Sequence, residues 1–413
     1  MKNYSMKKKC RICSCKNLKM ILDLGDQPPA NSLLDKTQLS IHEEKFPLRL
    51  FWCSECNLVQ LLDIVNKEYL FKHYFYMTSA SKPILSHFQQ YASDIYEIFL
   101  RKKSNPLVVE IGSNDGSLLF EFKKLGTEIL GIEPASNLSK LANDSKIPTI
   151  NDFFSSNLAK NISKSNTASV IVANNVIGHI ENLHDLMDGI KILIDDDGLF
   201  IFEVPYLIDL IEKLEFDTIY HEHLSYFSIL PLMRLMDIHG MEIFDIQKQS
   251  VHGGTLRIFV SKKNNFPINE SVKKYLNLEY EFGLNKILIY EKFSNQIKNL
   301  KNEIYDSLKN LKNDGKSIFG YGASAKGNVL LNYCKIDVNL LDFIIDTTPL
   351  KQGKFSPGMH IPIVSPNKIF TKGKNDVALL LAWNYEYQIL QKEIDFTNKG
   401  GKFLIPIPKP ILK

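Results

Sequence analysis

The chain has 413 residues, too many for one hydrophobic core, so two or three domains are expected. With 44% hydrophobic and 23% charged residues it has the composition of an ordinary globular protein, and the small net charge of +4 on scattered Lys and Arg argues against nucleic acid as a partner. No apolar run reaches the roughly 18 residues of a membrane span. No apolar core follows the basic start MKNYSMKKKC, so we expect a cytoplasmic protein without a signal peptide.

Two Cys-x-x-Cys pairs open the chain, Cys10 with Cys13 and Cys53 with Cys56. Each pair can turn two thiolates towards one ion, and four thiolates complete the tetrahedron that zinc prefers. Cys15 makes a competing Cys-x-Cys pair with Cys13, and we take it as the cysteine that does not bind the metal. The alternative to a metal site is a set of buried free thiols. We predict a zinc-binding domain over residues 1–75. Because four thiolates leave no open position, this Zn²⁺ is structural and not catalytic.

Strands and helices alternate over residues 76–262, which predicts a mostly parallel, doubly wound α/β sheet. The strand LVVEIG runs into a loop with Gly112 and Gly116, and a helix follows. Ligands of such sheets bind at the carboxyl ends of the strands. This first loop is therefore the expected edge of a cofactor pocket.

The first loop departs from the dinucleotide fingerprint GxGxxG, because Asn114 replaces the middle glycine. A pyrophosphate needs bare backbone amides, whereas Glu110 and Asp115 place carboxylates here. S-adenosylmethionine (SAM) has no phosphate but carries a sulfonium, an ammonium group and a ribose, which suit these acids. We predict SAM as the cofactor; a nucleotide-type loop with another ligand is the alternative.

Further cofactor contacts are expected from the next strands. Glu133 ends the second strand and is placed to hold both ribose hydroxyls. Asp152 and Phe153 follow the third strand, where the carboxylate suits the adenine amino group and the ring suits its face. Asn174 and Asn175 come after a later strand; one of them is expected to line the SAM pocket, although both are also ordinary turn residues.

A charged helical stretch from about 268 to 313 is interpreted as a spacer within residues 263–413, which form a second, Rossmann-like α/β domain. Its strand SIFGYG leads into Gly320-x-Gly322-x-x-Ala325, which fits a dinucleotide fingerprint. Lys326 is placed either to meet a phosphate or to begin a solvated helix. This loop predicts a phosphorylated nucleotide as ligand; the alternative is a tight glycine turn with no ligand.

The whole chain resembles the bacterial SAM-dependent C-methyltransferases of nucleotide-activated deoxysugars. Besides the paired cysteines, the segments that carry the resemblance follow in order: VVEIGSNDGSLL, ANNVIGHIENLHD, FIFEVPYL, FDTIYHEHLSYFS, VHGGTLR and GYGASAKGN. The segment FDTIYHEHLSYFS is the most specific. The resemblance implies a class I methyltransferase Rossmann-like sheet, flanked by a small N-terminal zinc domain and a C-terminal Rossmann-like domain that holds a sugar nucleotide in place of NAD.

The resemblance also implies the substrate, a 4-keto nucleoside-diphosphate deoxysugar methylated at C3. It maps the base onto His223, with Tyr220 and Glu222 beside it. An imidazole with an ordinary pKa of about 6.5 is suited to taking a proton next to a ketone. His179 is the second candidate for contact with the sugar, although a helix cap or a packed core histidine is the alternative. A tyrosine of HYFYMTSAS, Tyr74 or Tyr76, is expected to reach the site.

Substrate binding is assigned to a few further residues: Gly322, Ser324, Lys326 and Arg257. The alternative for Arg257 is an ion pair with an acid inside the sheet. His221 is expected to be a bystander. Gly178 stands where relatives more often carry a bulkier residue or cysteine, which leaves room near the methyl donor.

Two other functions remain open. The first is an O- or N-methyltransferase acting on a sugar nucleotide or a related polysaccharide metabolite. The second is a zinc-bearing NAD-dependent oxidoreductase, or a nucleotide-binding regulatory protein, that uses the C-terminal glycine loop. The acids of the first loop count against NAD as a ligand there, and the closed cysteine site offers no catalytic metal, so both disfavour this second function. No nucleic-acid or membrane partner is expected, and the protein is predicted to be a monomer or a small homo-oligomer.

Overall fold

The computed structural model of the protein describes residues 3–71, 78–80, 82–249, 254–366 and 375–413. The amino-terminal elements are β1 (Tyr4–Met6), β2 (Leu18–Gln27), β3 (Phe46–Cys53), β4 (Val59–Leu61), β5 (Asp63–Val65) and α1 (Lys67–Phe71). The middle elements are α2 (Lys82–Ile95), β6 (Leu107–Ile111), α3 (Ser117–Lys124), β7 (Glu128–Ile132), α4 (Ser136–Asp144), β8 (Thr149–Ile150), α5 (Ser156–Ile162), β9 (Ala168–Asn174), α6 (Leu183–Leu193), β10 (Ile194–Pro205), α7 (Leu207–Glu212), β11 (Ser225–Tyr226), α8 (Ile229–Ile238), β12 (Met241–Gln249) and β13 (Thr255–Lys262).

The carboxyl-terminal elements are α9 (Glu270–Phe282), α10 (Ile287–Asn313), β14 (Ser317–Tyr321), α11 (Ala325–Cys334), β15 (Ile344–Ile345), β16 (Ile363–Val364), β17 (Asp376–Leu380), α12 (Glu386–Lys392), α13 (Ile394–Asn398), β18 (Lys402–Ile405) and β19 (Ile411–Leu412). Within the described residues, no helix combines the length and the apolar character needed to cross a membrane.

The middle sheet has seven strands in the order β12-β13-β10-β9-β6-β7-β8. β13 runs antiparallel to both of its neighbours, β12 and β10, and the other neighbouring pairs in this sheet are parallel. Central strands such as β6 are buried along their whole length, as expected for a parallel sheet covered on both faces. Val108 and Val109 are successive residues of β6 and belong to different apolar clusters, one on each face. The predicted α/β class I methyltransferase sheet is confirmed.

The carboxyl-terminal sheet has six strands in the order β16-β15-β14-β17-β18-β19. All are parallel except β19. This arrangement confirms a second Rossmann-like α/β unit. The glycine loop after β14 and the start of α11 lie at the carboxyl ends of its strands, where such sheets bind ligands.

The interpretation of residues 268–313 as a spacer is wrong, because α10 is a core helix. Its buried residues recur every three or four positions, as expected for a helix with one apolar face. They are Tyr290, Phe293, Ile297, Leu300, Ile304 and Leu308. The ring of Tyr290 packs 5.7 Å from that of Trp52 in β3. The helix thereby joins the amino-terminal sheet to the carboxyl-terminal unit through shared apolar burial.

The amino-terminal sheet has the strand order β11-β4-β3-β2, and all its pairs are antiparallel. Its edge strand β11 comes from far along the chain, within the YHEHLSYF segment. Ser225 pairs with Gln60, and Tyr226 pairs with Val59. The segment that carries the predicted base is therefore part of the sheet of the zinc domain as well as of the middle unit.

Candidate active site

The first loop of the middle sheet requires its glycines. Gly112 and Gly116 have φ of 69° and 79°, in the left-handed region. A Cβ at Gly112 would lie 2.4 Å from a methyl of Val176, and one at Gly116 would lie 2.8 Å from a methyl of Ile147. Asn114 is also left-handed, with φ of 51°. The loop therefore makes a tight turn against its neighbours and places its acids at the end of β6.

The predicted acids hold this loop together. Glu133 accepts hydrogen bonds from the backbone N–H groups of Asn114 (2.9 Å) and Ala135 (2.8 Å), which ties the loop after β6 to the loop after β7. Asp115 accepts the backbone N–H of Ser79 at 2.9 Å. Glu110 is buried, and burial raises its pKa well above the ordinary value, with Asp115 and Glu133 adding to the rise. These carboxyl groups form one acidic cluster at the strand ends.

The residues predicted to contact the adenine lie just after β8. Asp152 is exposed and accepts the backbone N–H of Phe153 at 2.7 Å. The ammonium group of Lys67, at the start of α1, lies 3.8 Å above the centre of the Phe153 ring. A cation over an aromatic face is attracted by the ring quadrupole. Lys67 thus brings the amino-terminal domain to the rim of the predicted SAM pocket, a contact that no local pattern indicates.

Asn174 and Asn175 lie at the carboxyl end of β9. Both polar atoms of the Asn174 side chain are buried and have no hydrogen-bond partner among the described residues. Asn175 is left-handed, with φ of 57°, and its backbone N–H donates to the carbonyl of Glu203 at 2.8 Å. Buried polar atoms are normally satisfied, so the unpaired amide of Asn174 is suited to a ligand.

The structure brings His179 and His223 together, although 44 residues separate them in the chain. Their ring centroids are 4.9 Å apart. A backbone hydrogen bond of 2.7 Å from Leu224 to the carbonyl of Gly178 aligns the two segments. A Cβ on Gly178 would lie 3.2 Å from the Ser225 carbonyl. The expectation that Gly178 leaves room near the methyl donor stays a prediction.

The ring of His223 is oriented by its own turn. Its Nδ1 lies 2.7 Å from the carbonyl oxygen of Thr218. The Tyr220 ring packs against it with centroids 3.9 Å apart. Burial, and next the neighbouring His179, lower the pKa of His223 well below the ordinary value. Burial also lowers the pKa of His179, to about 4. Both imidazoles are therefore neutral at pH 7.

Glu222 and His221 point into the amino-terminal domain. Glu222 is buried and accepts two hydrogen bonds from the side-chain amide of Asn31, at 2.8 and 2.9 Å. Burial raises the pKa of Glu222 to about 7, and the Asn31 bond opposes the rise. Nε2 of His221 lies 3.3 Å from the carbonyl oxygen of Phe46, and the imidazole packs edge-on against the Phe46 ring. Asn31 lies in the segment GDQPPANS, residues 25–32, and was not predicted as a site residue. The turn-forming and polar residues of this segment are the signal in the sequence that could have pointed to it.

Lys326 faces the middle unit. Its ammonium group lies 3.7 Å from the Glu215 carboxylate and 5.1 Å from the centre of the Trp383 ring. The indole N–H of Trp383 donates to Asp217 at 2.6 Å. Burial raises the pKa of Glu215 to about 7. The structure thus places Lys326 beside the chain that leads into His223, and not at a solvated helix start.

The other residues assigned to substrate have clear structural roles. Ser324 caps α11, because its hydroxyl accepts the backbone N–H of Gly327 at 3.0 Å. Gly322 is left-handed, and a Cβ there would lie 2.8 Å from that of Ala382. The substrate assignment of Arg257 is corrected: its guanidinium is 2.8 Å from the buried carboxylate of Glu203 and stacks on a tyrosine ring. Tyr74 and Tyr76 lie outside the described residues.

The four predicted metal ligands converge. The Sγ atoms of Cys10, Cys13, Cys53 and Cys56 all lie within 4.8 Å of one another. A tetrahedral zinc ion with bonds of about 2.3 Å needs thiolates about 3.8 Å apart, so the donor set fits. Cys15 stays outside, and its sulfur accepts the backbone N–H of Asn17 at 3.1 Å. This separates the spare cysteine from the ligands as expected.

Comparisons with known proteins agree with this arrangement. Three family models match consecutive parts of the chain: a zinc binding domain over residues 10–71, a methyltransferase domain over 85–245 and a C-methyltransferase C-terminal domain over 250–408. The C-methyltransferase NovU of Streptomyces niveus is 34% identical over 403 residues, which is 97% of this chain and 96% of that protein.

This chain belongs to the C-methyltransferase family. It is a SAM-dependent methyltransferase with a four-cysteine zinc-binding site, as predicted.

Solved structures are more distant from this C-methyltransferase. Magnesium protoporphyrin IX methyltransferase from Synechocystis is 11% identical with a TM-score of 0.34, covering 48% of this chain and 89% of that one. A SAM-dependent methyltransferase from Clostridium acetobutylicum is 8% identical with a TM-score of 0.34, covering 42% and 92%. The family assignment therefore rests on the sequence relative and the family models.

Proposed function

We propose that this C-methyltransferase methylates C3 of a 4-keto deoxysugar carried on a nucleoside diphosphate, with His223 as the base. The observation that carries the proposal is the 2.7 Å contact between His223 Nδ1 and the Thr218 carbonyl oxygen. A carbonyl oxygen only accepts hydrogen bonds, so Nδ1 holds the proton of the neutral ring. The lone pair is then on Nε2, which can take a proton from the substrate.

The C4 ketone makes the C3 proton acidic, because the carbanion formed there is delocalised. The C3 proton moves to Nε2 of His223, and the electron pair of the broken C–H bond delocalises onto the C4 oxygen as an enolate. That oxygen needs a hydrogen-bond donor. The neutral ring of His179, with its centroid 4.9 Å from that of His223, is our first candidate, and Tyr220 is the second. C3 of the enolate is the nucleophile.

The cofactor would be held at the carboxyl ends of β6 to β9. Glu133 is placed for the ribose, Glu110 and Asp115 for the cationic end, and Asp152 with Phe153 for the adenine. The unpaired amide of Asn174 is the further polar contact that we propose. When bound, SAM supplies the methyl group as an electrophile. The protein's remaining tasks are alignment and the exclusion of water.

The sugar nucleotide is proposed to lie between the middle and carboxyl-terminal units. Support comes from Lys326, which reaches Glu215 across this boundary and stands near the turn that holds His223. An ammonium group there is suited to a phosphate oxygen, and the glycine turn at Gly322 and Ser324 supplies nearby backbone. We therefore assign the phosphate contacts of the substrate to Lys326 and to the backbone at Gly322 and Ser324.

Proton exchange tests the proposal directly. The protein is incubated with a 4-keto deoxysugar nucleotide in D₂O, first without a methyl donor and then with SAM, and deuterium and methyl positions are read by mass spectrometry and NMR. We expect deuterium at C3 before methylation. His223→Ala should lower the exchange rate by about 10² or more, the usual size of a general-base contribution. S-adenosylhomocysteine (SAH) should still bind the variant.

Two outcomes would contradict the proposal. Methylation without C3 exchange, with the new methyl on oxygen or nitrogen, would favour the O- or N-methyltransferase. Normal exchange by His223→Ala would remove His223 as the base.

A further inference from the structure

Arg11 lies in the sequence between the predicted metal ligands Cys10 and Cys13. Its side chain leaves the site and crosses to the sheet that ends in β11. One guanidinium nitrogen donates to the carbonyl of Leu224 and, at 3.2 Å, to the hydroxyl of Ser225. The other donates to the carbonyl of Leu61 at 2.9 Å. The planar fork of an arginine is pre-organised to hold several acceptors at once.

Two of these three contacts, to Leu224 and Ser225, fall on the residues that immediately follow His223. We call residues 218–226 the catalytic segment, since our proposed function places the base in it. Leu224 is held on both sides: its N–H donates to Gly178 at 2.7 Å, and its carbonyl accepts the N–H of Leu61 at 3.0 Å as well as Arg11. His223 is thus fixed between its neighbour His179 and the zinc domain.

The metal site has a second anchor that does not involve Arg11. Nε2 of His184, in α6, lies 2.8 Å from the carbonyl of Ile12. The backbone N–H of Arg11 itself donates to the side chain of Gln60 at 3.2 Å. We therefore expect removal of the Arg11 side chain to leave the cysteines and their docking onto the middle unit in place. The guanidinium is the part that reaches the catalytic segment.

We infer that Arg11 is a positioning residue that couples the zinc site to the catalytic segment, so that the metal orders the base as well as the amino-terminal fold. Four thiolates fix the backbone on both sides of Arg11, and this fixes the direction from which the guanidinium reaches Leu224. Zinc takes no part in the chemistry. The inference rests on the proposed function only for the identity of the base.

The test uses the full-length, zinc-loaded protein and two variants, Arg11→Met and Arg11→Lys. Lys9→Met is the matched control, because Lys9 is an exposed basic residue beside Cys10. Four quantities are measured: zinc per chain, the Kd for SAH, amide hydrogen exchange of the peptide 219–228, and the rate of C3 proton exchange in the substrate.

For Arg11→Met we expect one zinc per chain and a Kd for SAH within about twofold of the unmodified protein. Amide exchange in 219–228 should rise by about ten- to a hundredfold, because charged hydrogen bonds that hold this peptide are lost. The rate of C3 exchange should fall by about tenfold or more. Arg11→Lys should recover part of both effects, since an ammonium group reaches fewer acceptors, and Lys9→Met should change neither.

Chelation of zinc provides the second arm. It should raise amide exchange in 219–228 of the unmodified protein at least as much as Arg11→Met does, because loss of the metal unfolds the sheet that pairs with β11 and also frees Arg11. Unchanged amide exchange in Arg11→Met, or loss of its zinc, would overturn the inference. Failure of the proposed function is seen separately: normal C3 exchange by His223→Ala would reject the base, while the amide exchange of Arg11→Met would still report on the coupling.

Discussion

The side-chain amide of Asn31 lies 2.8 and 2.9 Å from the two carboxylate oxygens of Glu222, across 191 residues of sequence. The turn that carries Asn31 is itself held by the carboxyl-terminal unit, since Asn328 donates to the carbonyl of Ala30 at 2.7 Å. One turn of the amino-terminal domain therefore contacts both the residue before His223 and helix α11. All three parts of the chain meet at the proposed site.

Asn31→Ala should raise the pKa of the Glu222 carboxyl, which carboxyl-carbon NMR follows as a function of pH. Burial raises the pKa of Glu222 to about 7, and the hydrogen bond from Asn31 favours its ionised form. Without that bond the neutral form is favoured further, so the pKa rises by about one unit. Asn328→Ala is the control, because it loosens the same turn without touching Glu222; an equal shift in both variants would contradict a specific role for Asn31.

Stability between pH 7 and pH 5 should depend on His179. Burial lowers its pKa from 6.5 to about 4, so the folded state holds the neutral ring. Below pH 6.5 the unfolded chain binds the extra proton, and the stability present at neutral pH is lost as the pH falls towards 4. His179→Asn should show a smaller decrease of Tm over this range. His42→Asn, at an exposed site, should behave like the unmodified protein; a slope unchanged in His179→Asn would show that this ring titrates normally.

Glu133→Gln should weaken cofactor binding. The carboxylate accepts the N–H groups of Asn114 and Ala135, and an amide NH₂ in its place would face one of these donors. Together with weaker hydrogen bonds to the ribose, this should raise the Kd for SAH by about ten- to a hundredfold, as for the loss of a charged hydrogen bond. Isothermal titration calorimetry gives the Kd. Glu128→Gln, at the exposed start of the same strand, should leave it unchanged, and equal effects of both would exclude a specific ribose contact.

Cys56→Ser should remove the zinc, whereas Cys15→Ser should not. The Cys56 sulfur belongs to the four-sulfur cluster, while the Cys15 sulfur accepts a backbone N–H outside it. A structural zinc site contributes folding free energy, so loss of one ligand should unfold the amino-terminal sheet. Elemental analysis of zinc per chain and a thermal melt measure both effects. Full zinc content in Cys56→Ser would show that the four thiolates do not form the site.

Local sequence patterns were sufficient to predict the metal site and the two sheets. Paired cysteines and alternating apolar strands act over a few residues, so they can be recognised in the sequence alone. The glycine loop of residues 112–116 is similar, since its left-handed turns require glycine or asparagine. The charged stretch around α10 misled the interpretation, because its surface charges hid an apolar face that repeats every three or four positions.

The sequence by itself determined the cysteine site, the two Rossmann-like sheets and the protein family, which the motif YHEHLSYF helps to identify. Only the tertiary structure decided what those histidines and acids contact. The contacts of Glu222 with Asn31, of Leu224 with Arg11 and of His223 with His179 each join segments far apart in the chain. Such pairs leave no periodic signal, because chain folding and burial, rather than local backbone preference, bring them together.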